Sequence, residues 1–182
     1  MKDLTQWDVL IRVLVAGGLG ALIGLERERT RRAAGVRTHT LVAVGSALLT
    51  ASTILYMSEN GGTGAGEAVR IAAGIVTGVG FIGAGTILTS QGRVRGLTTA
   101  ATVWVTAGIG ITAGYGYLLL AALVAGPVTV TILLLGLAEK RLEESFEGFY
   151  EEQESGGRVW RARGGEDTDQ GEPPPDAGGS TG

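Results

Sequence analysis

Two arginines head rows of small residues in this sequence. Arg12 follows Asp8 by four positions and opens the row Arg12, Ala16, Gly20, Gly24, while Arg70 follows Glu67 by three and opens Arg70, Gly74, Gly78. On a helix, residues three and four apart share a face. Each arginine therefore has a carboxylate one turn away and lies at the end of a strip along which another backbone can approach. Asp8, Arg12, Glu67 and Arg70 form a candidate intramembrane polar network, because charged side chains in apolar helices usually face the bundle and are paired. The competing reading is that these long side chains snorkel to a nearby interface. A second charged group, Glu26, Arg27, Glu28, Arg37 and Thr38, marks the other end of the first apolar stretch. It reads either as a matching inner-end network or as a solvated loop whose arginines fix topology.

Gly78, Gly80 and Gly83 fit a G-x-G-x-x-G pattern, with Gly85 following. A dinucleotide fingerprint needs a preceding strand, a helix opening at the last glycine and an acidic residue about 20 positions on. Here no Asp or Glu occurs between Glu67 and Glu139, so the reading fails. Close helix packing, or an irregular passage, is the better expectation for these glycines. A third small-residue row, Thr98, Thr102, Thr106, Gly110 and Gly114, adds hydroxyls to such a seam, although any single Thr is apt to bond back to its own helix. Thr99 and Trp104 belong to the same block. The chain has no Cys and one His, His39, which excludes thiolate metal sites, cysteine nucleophiles and imidazole-rich centres. Any bound metal would be a hard cation held by oxygen, and no enzymatic constellation is present.

The elements that hold these residues are apolar and long. From Gly96 to Ala138 no residue carries a charge, and a helix needs roughly 20 apolar residues to cross about 30 Å of hydrocarbon. Five candidate helices follow, at about 8–25, 40–58, 70–90, 98–114 and 116–138. The connection 26–39 holds Arg27, Arg29, Arg31, Arg32 and Arg37; Arg93 and Arg95 separate the third and fourth helices, and Lys140 and Arg141 follow the fifth. Basic connections stay in the cytoplasm. All these clusters share one side if the N-terminus is outside and the C-terminus inside. The fold class is thus all-α, a polytopic membrane helix bundle of about five spans. Pro127 removes a backbone donor within the fifth helix and predicts a kink there.

Residues 1–141 are basic overall and form the expected transmembrane domain, whereas 142–182 are acidic. Leu142, Phe146, Phe149 and Tyr150 have the spacing of a short amphipathic segment. Beyond Gly164 the composition cannot bury a core and predicts a disordered tail.

Four blocks carry a family resemblance: GLERE at 24–28, AGVRTHTLVAVGSALL at 34–49, RIAAGIVTGVGFIGAGTIL at 70–88 and GLTTAATVWVTAGIGITAGYG at 96–116. In this order they resemble the MgtC/SapB family of bacterial inner-membrane proteins over roughly residues 8–138. The resemblance implies a multi-pass protein linked to magnesium homeostasis and adaptation to low magnesium, with no cofactor and Mg²⁺ as ligand or cargo at most. It also implies partners in the bilayer, such as the F-type ATP synthase or a second copy, and no nucleic acid. Two modes of action fit: a regulator or partner-binding protein, and a magnesium or other cation transporter. Spans three to five contain no carboxylate, and Mg²⁺ binds through carboxylates and retained waters, which favours the first. Longer family members carry a folded cytoplasmic domain where this chain has its acidic tail, so functions of that domain do not transfer.

Overall fold

The computed structural model describes residues 4–60, 65–90, 93–138 and 141. Five helices among them are long and apolar enough to cross a membrane: α1 (Gln6–Arg29), α2 (Val36–Glu59), α3 (Ala65–Ala84), α4 (Leu97–Gly114) and α5 (Leu118–Ala138). Large apolar side chains point outward on every helix, among them Leu14, Leu41, Phe81, Leu119 and Leu134, while the interior is mostly Ala, Gly and Thr, filled out by Ile and Val. That inversion suits a solvent of lipid tails, where association comes from close packing of small residues rather than from burying large ones.

Helix directions follow from the contacts. A Cβ on Gly17 would meet Val44, one on Gly20 would meet Ala43, and one on Gly24 would meet Val36, so α1 and α2 run antiparallel. Gly110 and Gly114 of α4 lie against Ala43 and Ala47 of α2, so these two helices run parallel. α4 is the central helix, with more than half of its span buried. It touches both apolar clusters: one with Ala16, Ala43, Ala47 and Ala121, the other with Ile75 and Val79 of α3. α5 continues through Pro127 to Ala138 without interruption.

The third helix stops earlier than its hydropathy suggests. Gly85 and Thr86 close its end by donating to the carbonyls of Phe81 and Gly83, and the Thr86 hydroxyl also donates to Gly83. The following Thr and Ile are stiff at Cβ and favour extended backbone. Residues 88–90 (β1) and 93–95 (β2) then pair antiparallel, with Thr89 opposite Val94. Gly96 has φ of 90°, and a Cβ there would stand 2.0 Å from the Thr86 carbonyl oxygen, so this joint into α4 requires glycine.

By contacts the chain divides into Met1–Gly136 and Leu137–Gly182. The amphipathic segment and the acidic tail read from the sequence lie outside the described residues, as does Lys140.

Candidate functional site

Glu26 and Arg27 end α1 inside the protein rather than in solvent. They are 5 % and 2 % exposed, and Arg27 Nε donates to Glu26 Oε2 at 2.6 Å. Close approach of α2 shuts them in, because Gly20 and Gly24 bring its backbone against α1 next to them: a Cβ on Gly24 would stand 2.6 Å from Val36 Cα. Glu28 faces the start of α2, where Oε2 accepts from the Val36 amide at 2.9 Å. A helix start leaves amides without internal partners, and a carboxylate is the favoured cap. Arg37 points outward and Thr38 is half-buried, so neither completes the buried pair.

The residue that joins this cluster to the rest of the bundle is His39, fully buried on α2. Its Nδ1 lies 2.9 Å from the Gly35 carbonyl and its Nε2 lies 3.3 Å from Thr102 Oγ1 on α4. A carbonyl only accepts, so Nδ1 carries a proton and donates. In the neutral ring Nε2 is then an acceptor. The single Thr102 proton has two claimants, Nε2 and the Thr99 carbonyl at 2.9 Å. Arg27 and Glu26 both act electrostatically on this imidazole. Among the described residues, Glu26 Oε1, Arg27 Nη1 and Thr40 Oγ1 are buried without a hydrogen-bond partner. The Glu26–Arg27 pair thus keeps one acceptor and one donor for a small hydrogen-bonding group. A guanidinium beside the carboxylate spoils it as an oxygen shell for a dication, and no group of three His, Cys, Asp or Glu converges among the described residues.

The expected four-residue polar network divides into separate parts. Asp8 closes a capping box with Thr5, whose amide and hydroxyl donate to Asp8 Oδ2 at 2.9 and 2.6 Å. Arg12 is half-buried and donates from Nη1 to the Gly114 carbonyl at 2.8 Å, so a cation sits on the negative end of α4. It lies against Gly116, where φ is 92° and a Cβ would meet Nη2 at 2.8 Å. Arg70 and Glu67 instead pair at 3.5 Å on an open face, 80 % and 48 % exposed. This corrects the expectation that both arginines lie in packed faces. The row Arg70, Gly74, Gly78 lines an open groove between α2 and α3.

The glycine and threonine residues divide in the same way. Thr99 and Thr102 are buried, and so is Thr106, which donates to the Thr102 carbonyl. Thr98 is exposed and Trp104 half-exposed. Close packing was the expectation for the G-x-G-x-x-G glycines, yet a Cβ on Gly78 or Gly80 would meet nothing within 4 Å; Gly83 reaches Ala100 at 3.6 Å and Gly85 belongs to the helix end. Sequence reasoning passed over His39 as a lone imidazole, together with Thr40, Ser46 and Thr50. The signal was there in the row His39, Ala43, Ser46, Ala47, Thr50, small or polar at helical spacing on an otherwise leucine-rich helix.

With this geometry in view, the comparisons with known proteins are consistent along most of the bundle. Protein MgtC of Salmonella typhimurium is 44 % identical over 115 residues, which cover 63 % of this chain and 47 % of that protein. Protein SrpB of Synechococcus elongatus is 44 % identical over 113 residues, covering 58 % and 62 % respectively. A protein of Haemophilus influenzae without an assigned function is 39 % identical over 139 residues, 72 % of this chain and 57 % of its own length. The chain thus spans about half the length of the Salmonella relatives it matches. No solved structure matches it. The model of the MgtC family matches residues 13–141, from the turn of α1 that holds Arg12 to the end of the bundle, and the chain belongs to that family.

Proposed function

We propose that this protein acts in the bacterial inner membrane as a regulator or partner-binding protein of magnesium homeostasis, working by binding rather than by catalysis or ion conduction. Magnesium enters this reading through the family resemblance. The observation that carries the mode of action is the Glu26–Arg27 contact: a deeply buried carboxylate is tied to a guanidinium at 2.6 Å. A path for Mg²⁺ needs oxygen ligands with net negative charge at depth, and here the buried carboxylate is already neutralised. The buried hydroxyls of Thr50, Thr102 and Thr106 lie within donor reach of carbonyls of their own helices and offer a cation only neutral oxygen lone pairs. Partners in this reading are other inner-membrane proteins, the F-type ATP synthase among them.

The test is purified protein in liposomes loaded with a magnesium-sensitive dye, beside growth of a strain lacking the protein at low magnesium. A regulator restores growth and gives no saturable influx. Influx that requires Glu26 or Thr102 would replace this reading with transport. Orientation is checked separately, since the chain has no cysteine. A cysteine at Asn60 is expected to label from outside, and one at Arg95 only after the membrane is opened.

A further inference from the structure

Between α2 and α3 two chambers meet end to end. The first is an open slot of about 510 Å³ lined by apolar residues including Val42, Leu49, Ile75 and Val79, with Gly45, Gly74 and Gly78 in its walls and Arg70 at one end. The second, also about 510 Å³, lies toward the C-terminal end of α2 and is lined by Ser52, Thr53, Tyr56, Met57 and Glu67. Ile71 lines both. Along α3 the apolar slot runs from Arg70 to Ile82, about 18 Å at the helical rise of 1.5 Å per residue. Half of a hydrocarbon core of about 30 Å is shorter than that, so the slot takes an acyl chain descending from one leaflet.

The charges at its mouth narrow the choice of occupant. Arg70 offers a planar fork suited to a phosphate. Glu67, 3.5 Å away, opposes a head group of net negative charge but receives an ammonium. Both side chains are exposed, and their pairing across 3.5 Å is loose enough to open toward a ligand. A cation and an anion side by side above an apolar slot match a head group whose phosphate and ammonium are joined by a two-carbon bridge, with an acyl chain beneath. We infer that the α2–α3 seam is a binding site for one phosphatidylethanolamine molecule, with phosphate on Arg70, ammonium on Glu67 and an acyl chain in the slot beside Gly74 and Gly78.

The full chain is purified in mild detergent, and lipid retention is measured by native mass spectrometry with phosphatidylethanolamine and phosphatidylglycerol of identical chains. Gly78→Leu plugs the slot, and its side chain starts in space free of other atoms within 4 Å; Gly18→Leu, equally open on α1, is the matched control. Folding of each variant is checked by its thermal transition. The wild type is expected to retain phosphatidylethanolamine, Gly18→Leu to behave likewise, and Gly78→Leu to lose retention by about tenfold. Glu67→Gln is expected to bring the ratio of the two lipids to about one, and Arg70→Gln to lower both. Equal retention by the Gly78→Leu and Gly18→Leu proteins would overturn the site. An unchanged lipid ratio in Glu67→Gln would overturn the head-group assignment. A second copy or another membrane helix held along α3 in place of lipid would overturn both.

Discussion

Gly110 and Gly78 sit in similar surroundings in the sequence, each in a row of small residues four apart, yet they do opposite things. A Cβ on Gly110 would stand 2.6 Å from the Ala43 carbonyl oxygen, whereas one on Gly78 would meet nothing within 4 Å. The difference lies in the facing helix. Toward α4, α2 presents Ala43, Ser46, Ala47 and Thr50, and two backbones come together. Toward α3 the α2 face is lined by Val42, Gly45 and Ser46, with Leu41 and Leu49 mostly exposed at its edges, and a slot stays open between the two helices. A small-residue row is half of a seam, and the other half decides whether it closes. The bundle is accordingly a closed α1–α2–α4 unit carrying buried charge, with α3 resting on α4 through Ile75 and Val79 and open toward α2.

Substitutions of the charged residues sharpen that contrast. Arg27→Ala leaves the Glu26 carboxylate buried without its partner and is expected to cost about 3–5 kcal/mol, read as loss of folded protein in membranes and in detergent unfolding. Replacing both residues, Glu26→Gln with Arg27→Gln, should recover part of that loss, since no lone charge remains. Arg12→Ala removes a charged donor from the last turn of α4 and is expected to cost about 1.5–3 kcal/mol, with Arg12→Lys intermediate, by the same unfolding measurement. Arg70→Ala breaks only an exposed pair and should change stability by less than about 1 kcal/mol. A large loss for Arg70→Ala would mean that α3 is packed more tightly than its open groove shows.

The helices were legible because uncharged stretches of bilayer length have few other fates; the capping box at Thr5 and Asp8, which starts α1 at Gln6 rather than near residue 8, was not read. The Glu26, Arg27 and Glu28 motif was legible as a group. Its division was not: Glu26 and Arg27 turn inward as a pair while Glu28 caps the next helix, and that depends on how closely Gly24 lets α2 approach. Arg70 misled because helical spacing assigns residues to a face without saying what that face meets. His39 was missed because a lone imidazole has no partner in the sequence, and its partner Thr102 lies 63 positions away. The early end of α3 depends on the local bonds of Gly85 and Thr86, to which hydropathy is blind.

The most direct test is one substitution made at the two glycines, Gly110→Ala and Gly78→Ala, with both proteins unfolded under the same conditions. Alanine brings the same gain in helix propensity at each position, about 1 kcal/mol, so the difference between the two reports packing alone. Gly78→Ala is expected to be neutral or slightly stabilising, and Gly110→Ala to lose about 1–3 kcal/mol because the α2 backbone must move. Equal effects at the two positions, or a greater loss at Gly78, would contradict a closed α1–α2–α4 unit beside an open α2–α3 seam.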